Sequence, residues 1–248
     1  FPELPVELVH EIIATAWHMP LSPSERIILM RSSALVNSTW ADTFDLIASR
    51  DVYIPSAAFS QHFIQRLRGT PAVAGVSSSF ISRLLARFCK TSKLAIVTRS
   101  ANLACQSLTI QLLNVCVHPD KYARTHLPMG AVLDELLETL DARSLAPNLR
   151  RLSIEYVDIG FDVGFEDIFR RDGLAALPAQ VTHLDLRYSF SPSMPGWLTK
   201  SLRDKQERQR HVQWVLPSIT HLTVAGAAKN TIHDMSRVCP HAQVLGID

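Results

Sequence analysis

The chain changes its hydrophobic period part-way along. Over residues 4–50 apolar side chains recur at three- and four-residue intervals, as on helices. Leu4, Leu8 and Ile12 fall four apart, and Val9, Ile13, Ala16 and Trp17 widen the stripe, which predicts a helix from about Pro5 to Trp17. Pro5 suits a first helical turn, where its missing N–H costs nothing, and Glu7 and Glu11 lie toward the end where the helix dipole favours acids. Met19-Pro20-Leu21 breaks that helix. Ser22-Pro23-Ser24-Glu25 is a capping box that opens a second helix through Ile27, Ile28, Leu29 and Met30. Trp40, Phe44 and Ile47 mark a third, near Ser38 to Arg50. A fourth, Ser56 to Arg68, carries Phe59, Phe63, Ile64 and Leu67 on one face and ends at Gly69. Phe80, Leu84, Leu85 and Phe88 mark a fifth. Residues 1–55 are expected to be all helical, with every strand after residue 90.

Beyond residue 100 a short motif of apolar-x-x-Leu-x-apolar form recurs five times. It runs Cys105 to Ile110, Leu149 to Ile154, Val181 to Leu186, Ile219 to Val224 and Ala242 to Ile247. Its second half alternates with period two, the mark of a strand with one buried face. The leucines are spaced irregularly, and prolines at 147, 178, 217 and 240 precede four of the units. Between the units lie helical patterns: Val132 to Leu140, Phe165 to Phe169, a charged stretch from Trp197 to Val215, and Ile232 to Val238. Helix and strand in alternation predict an α/β architecture of parallel strands with helices outside. The expected parts are a helical block at 1–55, bridging helices at 56–90 and the repeat region at 91–248.

Two resemblances follow from these residues. Leu4, Pro5, Glu7, Leu8 and Ile12, followed by Leu35, Val36 and Trp40, resemble the F-box, which opens with Leu-Pro-x-Glu-Leu and closes on a Leu-Val…Trp element. The spacer between the halves is longer than in compact members, and Asn37 stands where a cysteine is often found. The later units are similar to irregular leucine-rich repeats of the kind that follow an F-box in fungal families. The consensus asparagine is missing from them; Val157, Phe190 and Ala227 occupy or flank its place. The resemblance implies a three-helix F-box-like block and a loose helix–strand solenoid. It also implies that Leu4, Pro5, Leu8, Ile12, Leu35, Val36 and Trp40 bind the Skp-type adaptor of a cullin ubiquitin ligase, while the repeats hold a protein target.

Composition narrows the function without naming it. A hydrophobic content of 47% supports a packed core, and a net charge of +2 gives no global pull toward nucleic acid or membrane. Charge is patterned along the chain: residues 1–60 carry −4, 61–130 +8, 131–177 −5 and 178–248 +3, a distribution that reads as solvated surface. Cys89, Cys105, Cys116 and Cys239 show no paired spacing and read as buried thiols of a reducing compartment, cytoplasmic or nuclear. No stretch is long enough to span a bilayer.

No cofactor, metal or catalytic centre is expected. Ser77-Ser78-Ser79 lacks the glycine-flanked turn of a hydrolase nucleophile. Cys105, Cys116, His118 and His126 contain no close ligand pair of the zinc type. Asp158, Asp162, Glu166 and Asp167 match a calcium loop only in part and read as a solvated acidic loop. The repeat units offer a surface instead. Stacked in register, they place Arg151, His183 and His221 in one outward row. Ser153, Asp185 and Thr223 form the next, and Glu155 and Arg187 become neighbours in a third. Arg151, His183, Asp185, Arg187 and His221 are the expected target-binding residues, with an acidic segment as partner. Three classes of function compete: a ubiquitin-ligase adaptor, a repeat scaffold whose first helices only cap its end, and an α/β hydrolase-like enzyme, for which the sequence offers no motif.

Overall fold

A computed structural model describes residues 4–68, 104–113, 129–142, 145–159, 177–190, 215–227 and 229–247. The expected helices at Phe80–Phe88 and Phe165–Phe169, most of the stretch from Trp197, and Ser77–Ser79, Cys89, Cys116, His118 and His126 lie outside these residues. Among the described residues the fold is α/β, with six helices and one six-stranded parallel sheet. The helices are α1 (Val6–His18), α2 (Pro23–Ser33), α3 (Ser38–Arg50), α4 (Ala57–Leu67), α5 (Met129–Ala142) and α6 (Lys229–Val238). The strands are β1 (Asp51–Ile54), β2 (Ser107–Leu113), β3 (Arg151–Ile159), β4 (His183–Phe190), β5 (His221–Ala225) and β6 (Gln243–Ile247). They lie side by side in chain order, each parallel to the last.

The N-terminal helices form where the apolar spacing and the α2 capping box predict them. Ser22 and Glu25 close a reciprocal capping box on α2, and the Asn37 side chain accepts from the Trp40 amide at the start of α3. The stripe on α1 divides, however. Val9, Ile13 and Trp17 are buried, whereas Leu4, Leu8 and Ile12 are exposed. A helix turns 100° per residue, so two rows one residue apart diverge when only one neighbour packs beside them.

One strand contradicts the all-helical reading of residues 1–55. Asp51-Val52-Tyr53-Ile54 leaves α3 without a linker and pairs with β2, Val52 opposite Leu108 and Ile54 opposite Ile110. Its β-branched and aromatic residues fit a pleated surface, and Pro55 ends it. Four residues between two helical patterns were too short to announce a strand by periodicity. β1 also joins two cores. Val52 and Ile54 enter the sheet core, while Tyr53 points the other way into a cluster of Val9, Ile13, Trp17, Phe44 and Ile47.

The inner rows of the sheet are almost fully excluded from water. Leu108, Leu152, Leu184 and Leu222 stand in register, as do Ile110, Ile154, Leu186 and Val224, and helices α4, α5 and α6 contribute Ile64, Leu136, Leu140 and Met235 to the same core. Tight turns feed β3, β4, β5 and β6, closed by amide-to-carbonyl bonds Leu149 to Ala146, Val181 to Pro178, Ile219 to Leu216 and Ala242 to Cys239. Proline at the second position of three of them presets the turn. The last strand departs from the expected register. Leu222 pairs with Val244, not Leu245, because β6 starts one residue sooner after its turn than β5 does. Val215, expected in a helix, is exposed and non-helical. Just after β5, Gly226 has a φ of 70°, and a Cβ there would overlap the Tyr188 carbonyl oxygen, so this close approach needs glycine.

Candidate functional site

The outward rows assemble as the strand register dictates. Arg151, His183 and His221 are successive partners across β3, β4 and β5, and Ser153, Asp185 and Thr223 form the row beside them. Asp185 is the anchor. Its carboxylate accepts from Arg151 Nε at 2.6 Å and from Ser153 Oγ at 3.0 Å, with Thr223 also donating. Burial alone would raise this carboxyl, but the hydrogen bond and charge of Arg151, with Thr223 and Ser153, more than offset it and hold it below the usual range. Asp185 is only 5% exposed, so it orients its neighbours and leaves the contact surface to them. Arg151 is exposed, and so is Arg187, which faces Glu155 at 3.6 Å.

His183 and His221 stack face to face, ring centroids 4.1 Å apart and planes within 2°. Each Nδ1 lies against the hydroxyl of the preceding threonine, Thr182 at 2.8 Å and Thr220 at 2.9 Å. Desolvation, then His221 and Arg151, push the His183 imidazole below its ordinary value, against the opposing pull of Asp185. With Arg151 and Arg187 facing Asp185 and Glu155, the formal charges of this face balance while the histidines are neutral.

Along the same face toward β1, Ser107 donates to Asp51 at 2.7 Å, and the helical block begins. Trp17 Nε1 donates to the Asp51 carbonyl, and Arg26 lies over both Trp17 and Tyr53, at 5.0 and 4.8 Å from the ring centroids. Its guanidinium also donates to the carbonyls of Trp17 and Met19, at the C-terminal end of α1. Arg26 therefore fastens α2 to α1 and β1. Sequence reasoning missed this residue, because a cation between two aromatics from separate elements has no spacing signature.

The residues matched to the F-box pattern are mostly on the surface of this block. Leu4, Pro5, Leu8, Ile12, Leu35 and Val36 are all exposed, and Trp40 is half-buried against the cluster. Val6, Met19, Ile28 and Leu46 add further exposed apolar side chains to the three helices. A helical block this small leaves an apolar exterior that water solvates poorly.

Cys105 and Cys239 are buried, their thiols pushed up to about 12 and about 11 by burial, with Asp51 adding to the effect at Cys105. Thiols held protonated in this way are poor nucleophiles. Among the described residues no helix is long and apolar enough to cross a membrane, and no three His, Cys, Asp or Glu converge to hold a metal ion. No family model, curated protein or solved structure matches the chain.

Proposed function

We propose that the chain is a recruiting adaptor of the F-box type. The helices α1 to α3 dock to a Skp-type adaptor of a cullin ubiquitin ligase, and the strands form a leucine-rich-repeat-like solenoid whose outward face holds a protein target. The protein supplies proximity between target and ubiquitin carrier rather than chemistry. The observation that carries this reading is the exposure of Leu4, Leu8, Ile12, Leu35 and Val36 on a block that already packs Val9, Ile13, Trp17, Phe44 and Ile47 inside. A block that only capped the sheet would turn its apolar residues inward. The capping-scaffold reading asks for no such exterior.

The docking half is tested with the double variant Leu8→Ala with Ile12→Ala. Both side chains are 46% exposed, so folding should survive, while affinity for a purified Skp-type adaptor should fall at least tenfold. Unchanged affinity in a folded protein removes the docking role. The target half is tested by changing His183, His221 and Arg187 to alanine together and measuring target capture. Arg151 is left intact there, because its loss would strand the buried Asp185 carboxylate.

A further inference from the structure

The stacked histidines carry more information than their position. Each threonine hydroxyl beside them also lies near a carbonyl, Thr182 Oγ1 at 3.4 Å from that of Arg150 and Thr220 Oγ1 at 3.2 Å from that of Thr182, but each of these carbonyls already accepts two backbone amides. A hydroxyl has one proton. The ring contact is the shorter in both cases, so the hydroxyl donates to Nδ1 and Nε2 carries the ring hydrogen. Neutral His183 and His221 then present Nε2–H donors, and neither Nε2 has a partner among the described residues.

This arrangement fixes where the next proton goes. It enters at Nδ1, where the threonine hydroxyl turns round to accept from the ring. It turns the neutral donor at Nε2 into a charged one. The first proton is tolerated by the stack, because a neutral imidazole can lie flat on an imidazolium. A second would set two like charges on rings 4.1 Å apart, which their repulsion opposes. The described charged groups around the stack are Arg151 from β3 and Asp185 from β4, already paired with each other; β6 contributes the uncharged Gln243 at the next register position. A net positive charge on this part of the face therefore arises only when the stack is protonated.

We propose that the His183–His221 stack is a proton-coupled oxyanion seat, which takes up one proton as it receives a carboxylate or phosphate group from a partner. The proposal rests on the outward face being a binding face, and not on what the N-terminal helices dock to. It changes the expected recognition of an acidic segment. At neutral pH the balanced face has little pull on such a segment, and affinity appears as the pair gains its proton.

The test uses the whole purified protein with labelled histidines. Nitrogen shifts of the two rings are read first, and both should show the hydrogen on Nε2; finding it on Nδ1 in both overturns the proposal. The rings are then titrated from about pH 8 to pH 5 alone, with sulfate, which keeps its charge over this range, and with acetate, whose concentration is counted as the ionised form because it begins to protonate toward pH 5; they stand in for phosphate and carboxylate. Either anion should raise the midpoint of the pair's first protonation, and its affinity should rise about tenfold per pH unit between the free and bound midpoints, as uptake of one proton requires. The larger effect, of sulfate or acetate, identifies the chemical source. His221→Asn, at an exposed position, should leave His183 titrating with little response to either anion. An unmoved midpoint in the native protein, or an equal response in His221→Asn, overturns the proposal. Because no docking partner is present, this result stands or fails independently of adaptor binding.

Discussion

The two hydrophobic clusters meet at β1 and differ in kind. The sheet cluster closes on itself: its strands bury Leu108, Leu152, Leu184 and Leu222 to 1% exposure or less, and helices roof the inner face. The helical cluster of Val9, Ile13, Trp17, Phe44, Ile47 and Tyr53 is small, and its own helices carry Leu8, Ile12 and Ile28 on the outside, with Leu35 and Val36 exposed in the turn between α2 and α3. The first spends its apolar residues on stability. The second holds some in reserve, which is what a docking element needs. A small helical unit cannot bury everything, and anchoring one side on β1 decides which side is left over.

This contrast can be broken most severely in the sheet. Leu184→Ala, at 0% exposure in a central strand, should cost about 2–5 kcal/mol in chemical denaturation; a loss under 1 kcal/mol would mean that the sheet core is as yielding as the helical one. Next is Gly226→Ala, where a positive φ and a blocked Cβ should cost about 1–3 kcal/mol. Ser22→Ala removes one half of the capping box and should cost about 1 kcal/mol, confined to α2 and visible as faster amide exchange there while the strands stay protected. If protection falls equally throughout, the two clusters unfold as one. The last sharpening is acid titration. The folded Asp185 carboxyl lies below its unfolded value, so its stabilisation is complete above the unfolded value and fades as pH falls through the folded one. Asp185→Asn should flatten that acid limb of the stability curve without altering its shape above neutrality.

Much of this was legible in the chain. A capping box placed α2, the spacing of Trp40, Phe44 and Ile47 placed α3, and the repeated leucine motif gave β2 to β5 with their pairing, down to the Glu155–Arg187 contact. What failed did so for local reasons. Val52-Tyr53-Ile54 was hidden by its brevity between two helices. The register of β6 was misread because Ala242-x-x-Leu245 repeats the spacing while the turn before it is one residue shorter in its exit. The division of the α1 stripe into Val9–Ile13–Trp17 and Leu4–Leu8–Ile12 depended on which neighbour arrived. Arg26 and the threonine–histidine pairs depend on contacts between side chains, which no periodicity encodes.

The direct passage from Arg50 at the end of α3 to Asp51 at the start of β1 has a mechanical consequence. No loop separates them, and Trp17 and Arg26 brace the joint from the side. The helices and the strands must therefore move as one lever, without a hinge between them. Anything seated on α1 is held at a set reach and bearing from anything seated on β4, and lengthening the joint by even two residues would change that bearing before it changed either surface.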